Sequence, residues 1–167
     1  VLIALAQQPL PFSYDPPFPE LMFREADELL AQPELVTGWA AGCGMSHSPQ
    51  ALAWLQKLMT VRHGRPLVLD ADALSALASH ALEKNWGRGD VILTPHPKEA
   101  ARLLQIDTQA VQADRLNAAQ QLAKTYQAWI VLKGPQTLIC APDLSWQCNE
   151  TGNAGLASGG TGDVIGL

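Results

Sequence analysis

The chain has 167 residues, 47% of them hydrophobic and 16% charged, with a formal net charge of −5. This is the profile of one soluble globular domain with a real core, and the acidic balance argues against a general nucleic-acid or anionic-membrane binder. No apolar run approaches the roughly 20 residues of a membrane-spanning helix. The three cysteines, Cys43, Cys140 and Cys148, have no CxxC spacing, the pattern expected of free thiols in a reducing cytosol.

Residues 1–6 are apolar and predict a buried strand. Residues 7–19 contain Pro9, Pro11, Pro16, Pro17 and Pro19 and predict no regular structure, because proline fixes φ and removes a donor. A short helix is expected over 24–32, with Ala26, Leu29 and Leu30 on one face. Residues 35–41 predict a strand that runs straight into Gly42-Cys43-Gly44. Ser48-Pro49 is a strong helix start, Ser as N-cap and Pro at the first helical position, with Leu52, Leu55, Leu58 and Met59 facing inward to about residue 62. Residues 66–69 predict a strand ending in Asp70-Ala71-Asp72, before a helix over 73–78. Residues 91–94 predict the next strand, leading into Pro95-His96-Pro97 and a helix over 98–104. One long helix is expected over 108–127, apolar at Val111, Ala119, Leu122, Ala123 and Tyr126. A strand over 130–132 precedes Lys133-Gly134-Pro135, and residues 137–141 and 145–148 form a strand pair around Pro142-Asp143.

Strands alternating with helices predict an α/β fold, a mostly parallel sheet with helices on both faces and right-handed crossovers. Each polar or glycine-containing cluster follows a strand directly, where open α/β sheets bind ligands. Gly42 and Gly44 offer a backbone edge to a flat ligand or a phosphate, or simply a tight turn. Asp70 and Asp72, two apart at a strand end, face one side. Asp70 is the better candidate to face a site, and Asp72 to cap the next helix. His96 is framed by two prolines that aim its ring from the strand end. Glu99 either organises water or Mg²⁺ or is a first-turn glutamate favoured by the helix dipole. Lys133, Gly134, Pro135, Gln136 and Thr137 supply a cation, a turn and a hydroxyl for a nucleotide phosphate, or form a hairpin with an exposed lysine. His47, His63 and His80 have no metal-ligand spacing.

The richest stretch is Asn149-Glu-Thr-Gly-Asn-Ala-Gly-Leu-Ala-Ser-Gly-Gly-Thr-Gly-Asp163. A Gly159-Gly160-Thr161-Gly162 run can turn successive N–H groups inward as an anion nest, and a helix starting after it adds a positive dipole end. Asp163 at that junction is a candidate general base or a helix N-cap.

This stretch resembles the signature of the ADP-dependent NAD(P)H-hydrate dehydratases, of the ribokinase-like superfamily. Asn153-Ala-Gly-Leu-Ala-Ser158 is the discriminating part, with Leu156 where Met is commoner. The resemblance extends over most of the chain and is strongest from residue 66 to 164. It implies a three-layer αβα ribokinase-like domain spanning 1–167 and incomplete at both ends. It implies that hydrated NADH or NADPH (NADHX, NADPHX) is dehydrated while ADP becomes AMP and phosphate. Asp163 is then the catalytic residue; Gly44, His96, Asp70, Asn153 and Asp163 bind the hydrated nucleotide. Lys133 to Thr137, with Gly159, Gly160, Thr161 and Gly162, bind ADP, and Mg²⁺ assists near Glu99. Sugar and vitamin kinases of the superfamily usually carry Asn where His96 stands. A cytoplasmic homo-oligomer acting on small molecules, without nucleic acid or membrane, is expected. A small-molecule kinase or a non-catalytic nucleotide-binding domain on the same fold are the alternatives.

Overall fold

The computed structural model describes residues 2–5, 21–87 and 90–149. Two short parallel strands, β1 (Leu2–Leu5) and β2 (Met22–Glu25), form a sheet of their own, with Leu2 opposite Met22. β2 was not expected from the sequence. It takes the first two residues of the predicted 24–32 helix, so α1 spans only Ala26–Ala31 and buries Ala26, Leu29 and Leu30.

The main sheet has six strands in the order β3 (Trp39–Ala41), β4 (Leu67–Leu69), β5 (Val91–Leu93), β6 (Trp129–Leu132), β7 (Thr137–Cys140) and β8 (Trp146–Asn149). β3 to β6 are parallel neighbours, as the alternation of elements predicts, while β7 and β8 add an antiparallel hairpin edge. The predicted 35–41 strand is shorter than expected, because Pro33–Leu35 is a 3₁₀ turn with proline at its start. Along β4, β5 and β6 the residues Leu67, Leu69, Leu93, Ile130 and Leu132 are fully buried, and Val68, Ile92 and Val131 on the other face are half-buried. Apolar residues on both faces are what a sheet covered by helices requires.

α2 (Pro49–Val61) joins β3 to β4 and starts as predicted, the Ser48 hydroxyl accepting from the Ala51 N–H at 3.1 Å. It ends on Arg62, which is buried and donates to the Arg65 and Trp86 carbonyls. Burial holds its pKa below the ordinary guanidinium value. α3 (Ala71–Ala78) joins β4 to β5. Between β5 and β6 run α4 (Pro97–Leu104), α5 (Thr108–Ala113) and α6 (Arg115–Tyr126).

The single helix expected over 108–127 is therefore two. Asp114 leaves the helical region (φ −144°, ψ 79°) and its carboxylate accepts from the Asn117 N–H at 3.0 Å, capping α6. Apolar periodicity does not reveal the break, but Asp is a favoured N-cap and competes with helix continuation through that bond. The break puts Arg115 at the first position of α6.

Candidate functional site

The parallel strands β3 to β6 end at one edge, and the predicted clusters among the described residues lie there. Three backbone bonds extend the ladder beyond the strands: Asp70 N–H to Ala41 O (3.1 Å), Thr94 N–H to Leu69 O (3.1 Å) and Lys133 N–H to Pro95 O (2.9 Å). The loops after β3, β4, β5 and β6 are thereby stitched side by side.

Asp70 is 4% exposed and is the N-cap of α3. The sequence favoured Asp72 for that role. The structure gives the cap to Asp70, whose Oδ1 accepts from the Ala71 N–H at 2.8 Å and whose carbonyl accepts from Ala73 at 3.1 Å. Ala71 sits at φ +45°, unusual for a residue with a Cβ, so the chain enters α3 through a tight bend. The Asp72 N–H donates to Gly42 O at 3.3 Å, so the first amides of α3 are all occupied from within the protein. Asp72 instead turns its carboxylate to the preceding loop, accepting from the Ser46 N–H at 2.8 Å and lying 3.7 Å from His47 Nε2.

Gly42 is required sterically. Its φ is +125°, and a Cβ there would lie 1.8 Å from the Asp70 carbonyl oxygen. Gly44 also has a left-handed φ of +64°, but a Cβ on it would meet nothing within 4 Å. Gly42 thus joins two loops, while Gly44 is an exposed turn residue at the rim.

Lys133 reaches across from β6 to Asp70, its ammonium donating to Oδ1 at 2.7 Å and Oδ2 at 2.9 Å. Two residues expected on different parts of the site, one toward the hydrated nucleotide and one toward ADP, are in direct contact. An ammonium has three N–H donors, so one remains for a ligand, and the lysine side chain is 29% exposed.

His96 is the N-cap of α4. Its Nδ1 accepts from the Lys98 N–H (3.0 Å) and the Glu99 N–H (3.3 Å). Glu99 returns the contact: Oε2 accepts from the His96 N–H at 2.7 Å, and Oε1 lies 3.5 Å from His96 Nε2. With Nδ1 an acceptor, the neutral ring carries its proton on Nε2. The reciprocal arrangement is a capping box with His in place of Ser or Thr. Asn, the residue usual in the kinases, caps helices as well. Glu99 is buried, its Oε2 bonded to the His96 amide.

The loop Lys133 to Thr137 is a bend with Gly134 at φ +139° and Gln136 at φ +53°. The Thr137 hydroxyl donates to Gly134 O at 3.1 Å. Among the described residues the Gly134 and Gln136 N–H groups meet no acceptor. Beneath the loop lies Arg115, which the sequence reading did not single out. Its guanidinium donates to Pro135 O, to Leu132 O at 3.1 Å and to Lys133 O at 3.4 Å. Only recognition of Asp114 as a helix break could have drawn attention to it. Asn153, Gly159, Gly160, Thr161, Gly162 and Asp163 lie outside the described residues. Among the described residues no three His, Cys, Asp or Glu side chains group as metal ligands, and no helix is long and apolar enough to cross a membrane.

A mostly parallel sheet with helical crossovers and ligand-type loops at one edge defines an α/β protein, and the solved structures it superposes on make the fold ribokinase-like. The structure of a ribokinase-like superfamily protein from Enterococcus faecalis superposes with a TM-score of 0.77 at 25% identity, covering 89% of this chain and 52% of that one. A Bacillus subtilis ADP/ATP-dependent NAD(P)H-hydrate dehydratase, co-crystallised with ATP and Mg²⁺, gives 0.74 at 34% identity, over 90% of this chain and 55% of that one. Residues 11–166 match the family described as NAD(P)H-hydrate dehydratase. The ADP-dependent (S)-NAD(P)H-hydrate dehydratase of Neisseria meningitidis is 44% identical over 162 residues, 96% of this chain and 54% of that protein. The chain belongs to the NAD(P)H-hydrate dehydratase family. It spans about half the length of these relatives, 54% and 55% for the Neisseria and Bacillus proteins.

Proposed function

We propose that the protein restores NADH and NADPH from their hydrated forms, converting ADP to AMP and phosphate. The observation that carries the reading is the contact of Lys133 with both oxygens of Asp70, with the His96 loop hydrogen-bonded to the Lys133 amide beside it. It joins a candidate phosphate cation to candidate substrate groups on one edge, in a chain of this family.

Hydroxide is a poor leaving group from the hydrated ring. The ring hydroxyl attacks the β-phosphorus of ADP, the bond to AMP breaks, and a phosphate ester forms. The ring nitrogen's electron pair then expels phosphate, and loss of a ring proton restores the double bond. Asp163 takes the hydroxyl proton as general base. Gly159 to Gly162 form the nest for the transferring phosphoryl group. The third N–H of Lys133, the amides of Gly134 and Gln136 and the Thr137 segment hold the nucleotide phosphates. Gly44, Asp70, His96 and Asn153 face the hydrated nucleotide. His96 Nε2–H is suited to donate to an oxygen of that substrate while Nδ1 caps α4. The described residues form no Mg²⁺ cage, and Glu99 is engaged by His96, so Mg²⁺ enters the proposal as a companion of the nucleotide phosphates. The proposal includes a single ribokinase-like domain and a homo-oligomeric assembly in the cytoplasm, a compartment that keeps thiols reduced.

The test is incubation of the full-length protein with NADHX and ADP, reading NADH absorbance and AMP together. NADH and AMP should rise in equal amounts, and Asp163→Asn should slow turnover by about two to four orders of magnitude. ADP consumed only when a sugar or vitamin precursor is supplied would make the protein a kinase. Nucleotide binding without turnover would make it a sensor. Near-normal turnover in Asp163→Asn would remove Asp163 from the mechanism.

A further inference from the structure

The three carbonyls held by Arg115 are not equivalent in what lies behind them. A trans peptide is planar, and its C=O and N–H point in opposite directions. The Lys133 carbonyl shares its peptide with the Gly134 N–H, and the Pro135 carbonyl shares its peptide with the Gln136 N–H. Both carbonyls accept from the guanidinium. The Gly134 and Gln136 amides are the two loop donors that meet no acceptor among the described residues. The Leu132 carbonyl is the third held by Arg115, and its peptide partner, the Lys133 N–H, is already bonded to Pro95 O. Anchoring two carbonyls on one side of the loop therefore fixes these two amides on the other.

The surroundings fit this role. Gly134 at φ +139° lies against the guanidinium, where a Cβ would come within 3.1 Å of Arg115 Nη2. Arg115 forms no ion pair within 4.0 Å among the described residues, and its Nε is buried without an acceptor. It stands at the first position of α6, where the helix dipole disfavours a cation. A cation held there, unpaired and beneath a loop with two outward amides, leaves positive potential for an anion.

We propose that Arg115 is a positioning residue for the nucleotide. By holding the Lys133 and Pro135 carbonyls, it aims the Gly134 and Gln136 amides at a phosphate group of a nucleoside diphosphate. The inference rests on the assignment of this loop to ADP. Arg115 acts through the loop, its own donors being turned to the carbonyls.

The experiment is titration of ADP and, separately, of NADHX into the full-length protein and its Arg115→Met, Arg115→Lys, Arg115→Ala and Lys133→Ala variants. Amide NMR of Gly134 and Gln136 accompanies it. Arg115→Met should raise the ADP Kd about 10-fold to 100-fold, the scale of one lost charge-assisted contact or more, with NADHX affinity changed less than about 2-fold. Arg115→Lys should recover little, since one ammonium cannot span the carbonyls. Guanidinium ion at millimolar concentration should restore ADP affinity to Arg115→Ala, and ethylammonium should not. In the parent protein ADP should shift the Gly134 and Gln136 amide resonances, and in Arg115→Met those shifts should shrink. An unchanged ADP Kd in Arg115→Met, with Lys133→Ala weakened, would overturn the inference and leave the loop assignment standing. Unchanged ADP affinity in both would remove the assignment and the inference together. Equal losses for ADP and NADHX would reduce Arg115 to a structural role. If Arg115→Met does not fold, absence of ADP-induced shifts at Gly134 and Gln136 in the parent overturns the proposal by itself.

Discussion

Replacing Lys133 with Met removes the cation from a carboxylate that cannot easily return to water. The Asp70 side chain is 6% exposed, against 29% for Lys133. At the observed 2.7 and 2.9 Å, an effective dielectric of about 20 gives an attraction of about 6 kcal/mol, most of it offset by the cost of desolvating both groups. Breaking a fully buried pair costs about 3–5 kcal/mol. Water can follow a half-open lysine, so Lys133→Met should cost about 2–3 kcal/mol. That is about 4–12 °C in Tm for a protein of this size or somewhat larger. Asp70→Asn should cost less. It leaves the ammonium free to meet solvent and keeps an oxygen for the Ala71 N–H. The double variant should be more stable than the sum of the two losses by about 1–2 kcal/mol. Urea unfolding of the four proteins, in buffer free of nucleotide, reads all of these quantities. Strict additivity, or a Lys133→Met variant within about 0.5 kcal/mol of the parent, would refute the energetic coupling of the two residues.

Three further outcomes are expected. Gly42→Ala should lose at least about 3 kcal/mol, because its Cβ meets the Asp70 backbone, whereas Gly44→Ala, with open space around it, should lose about 1–2 kcal/mol for its left-handed φ alone; equal losses in denaturation would dismiss the close approach. His96→Asn should keep the α4 cap and unfold within about 0.5 kcal/mol of the parent, while His96→Ala loses about 1 kcal/mol. If NADHX then binds the Asn variant as tightly as the parent, His96 is a cap and nothing more. The Ser145 hydroxyl (2.6 Å) and N–H (2.9 Å) both donate to Asp143 Oδ1, holding that carboxyl below its ordinary value. A depressed folded pKa stabilises above the unfolded value near about 4 and is lost as pH falls through the folded one. Ser145→Ala should therefore raise the Asp143 pKa in a carboxyl NMR titration, and its stability deficit should vanish in strong acid; an unmoved pKa contradicts the hydrogen-bond cause.

The sequence by itself determined the alternation of strands and helices, the parallel neighbours β3 to β6 and the edge on which Gly42, Asp70, His96 and Lys133 gather. These follow from apolar runs, proline and glycine stops and the rule that parallel strands end together, all local or topological signals. The Ser48-Pro49 helix start was equally legible, since an N-cap and its first-turn amide are neighbours in the chain. Tertiary structure decided the partnerships. The Asp70–Lys133 pair joins residues 63 positions apart, and no local pattern says that an Asp at one strand end will meet a Lys two strands away. Asp72 looked like the helix cap by position, but Asp70 takes the Ala71 and Ala73 amides, Gly42 takes the Asp72 amide, and the Asp72 carboxylate meets Ser46 instead. The cap that His96 forms with a buried Glu99 was not legible either, because it depends on how the ring and the carboxylate fold back on each other. Arg115 was hidden inside a helix that periodicity made continuous. Its position depends on one backbone break at Asp114, and its proposed role on carbonyls brought to it by β6 and the loop that follows.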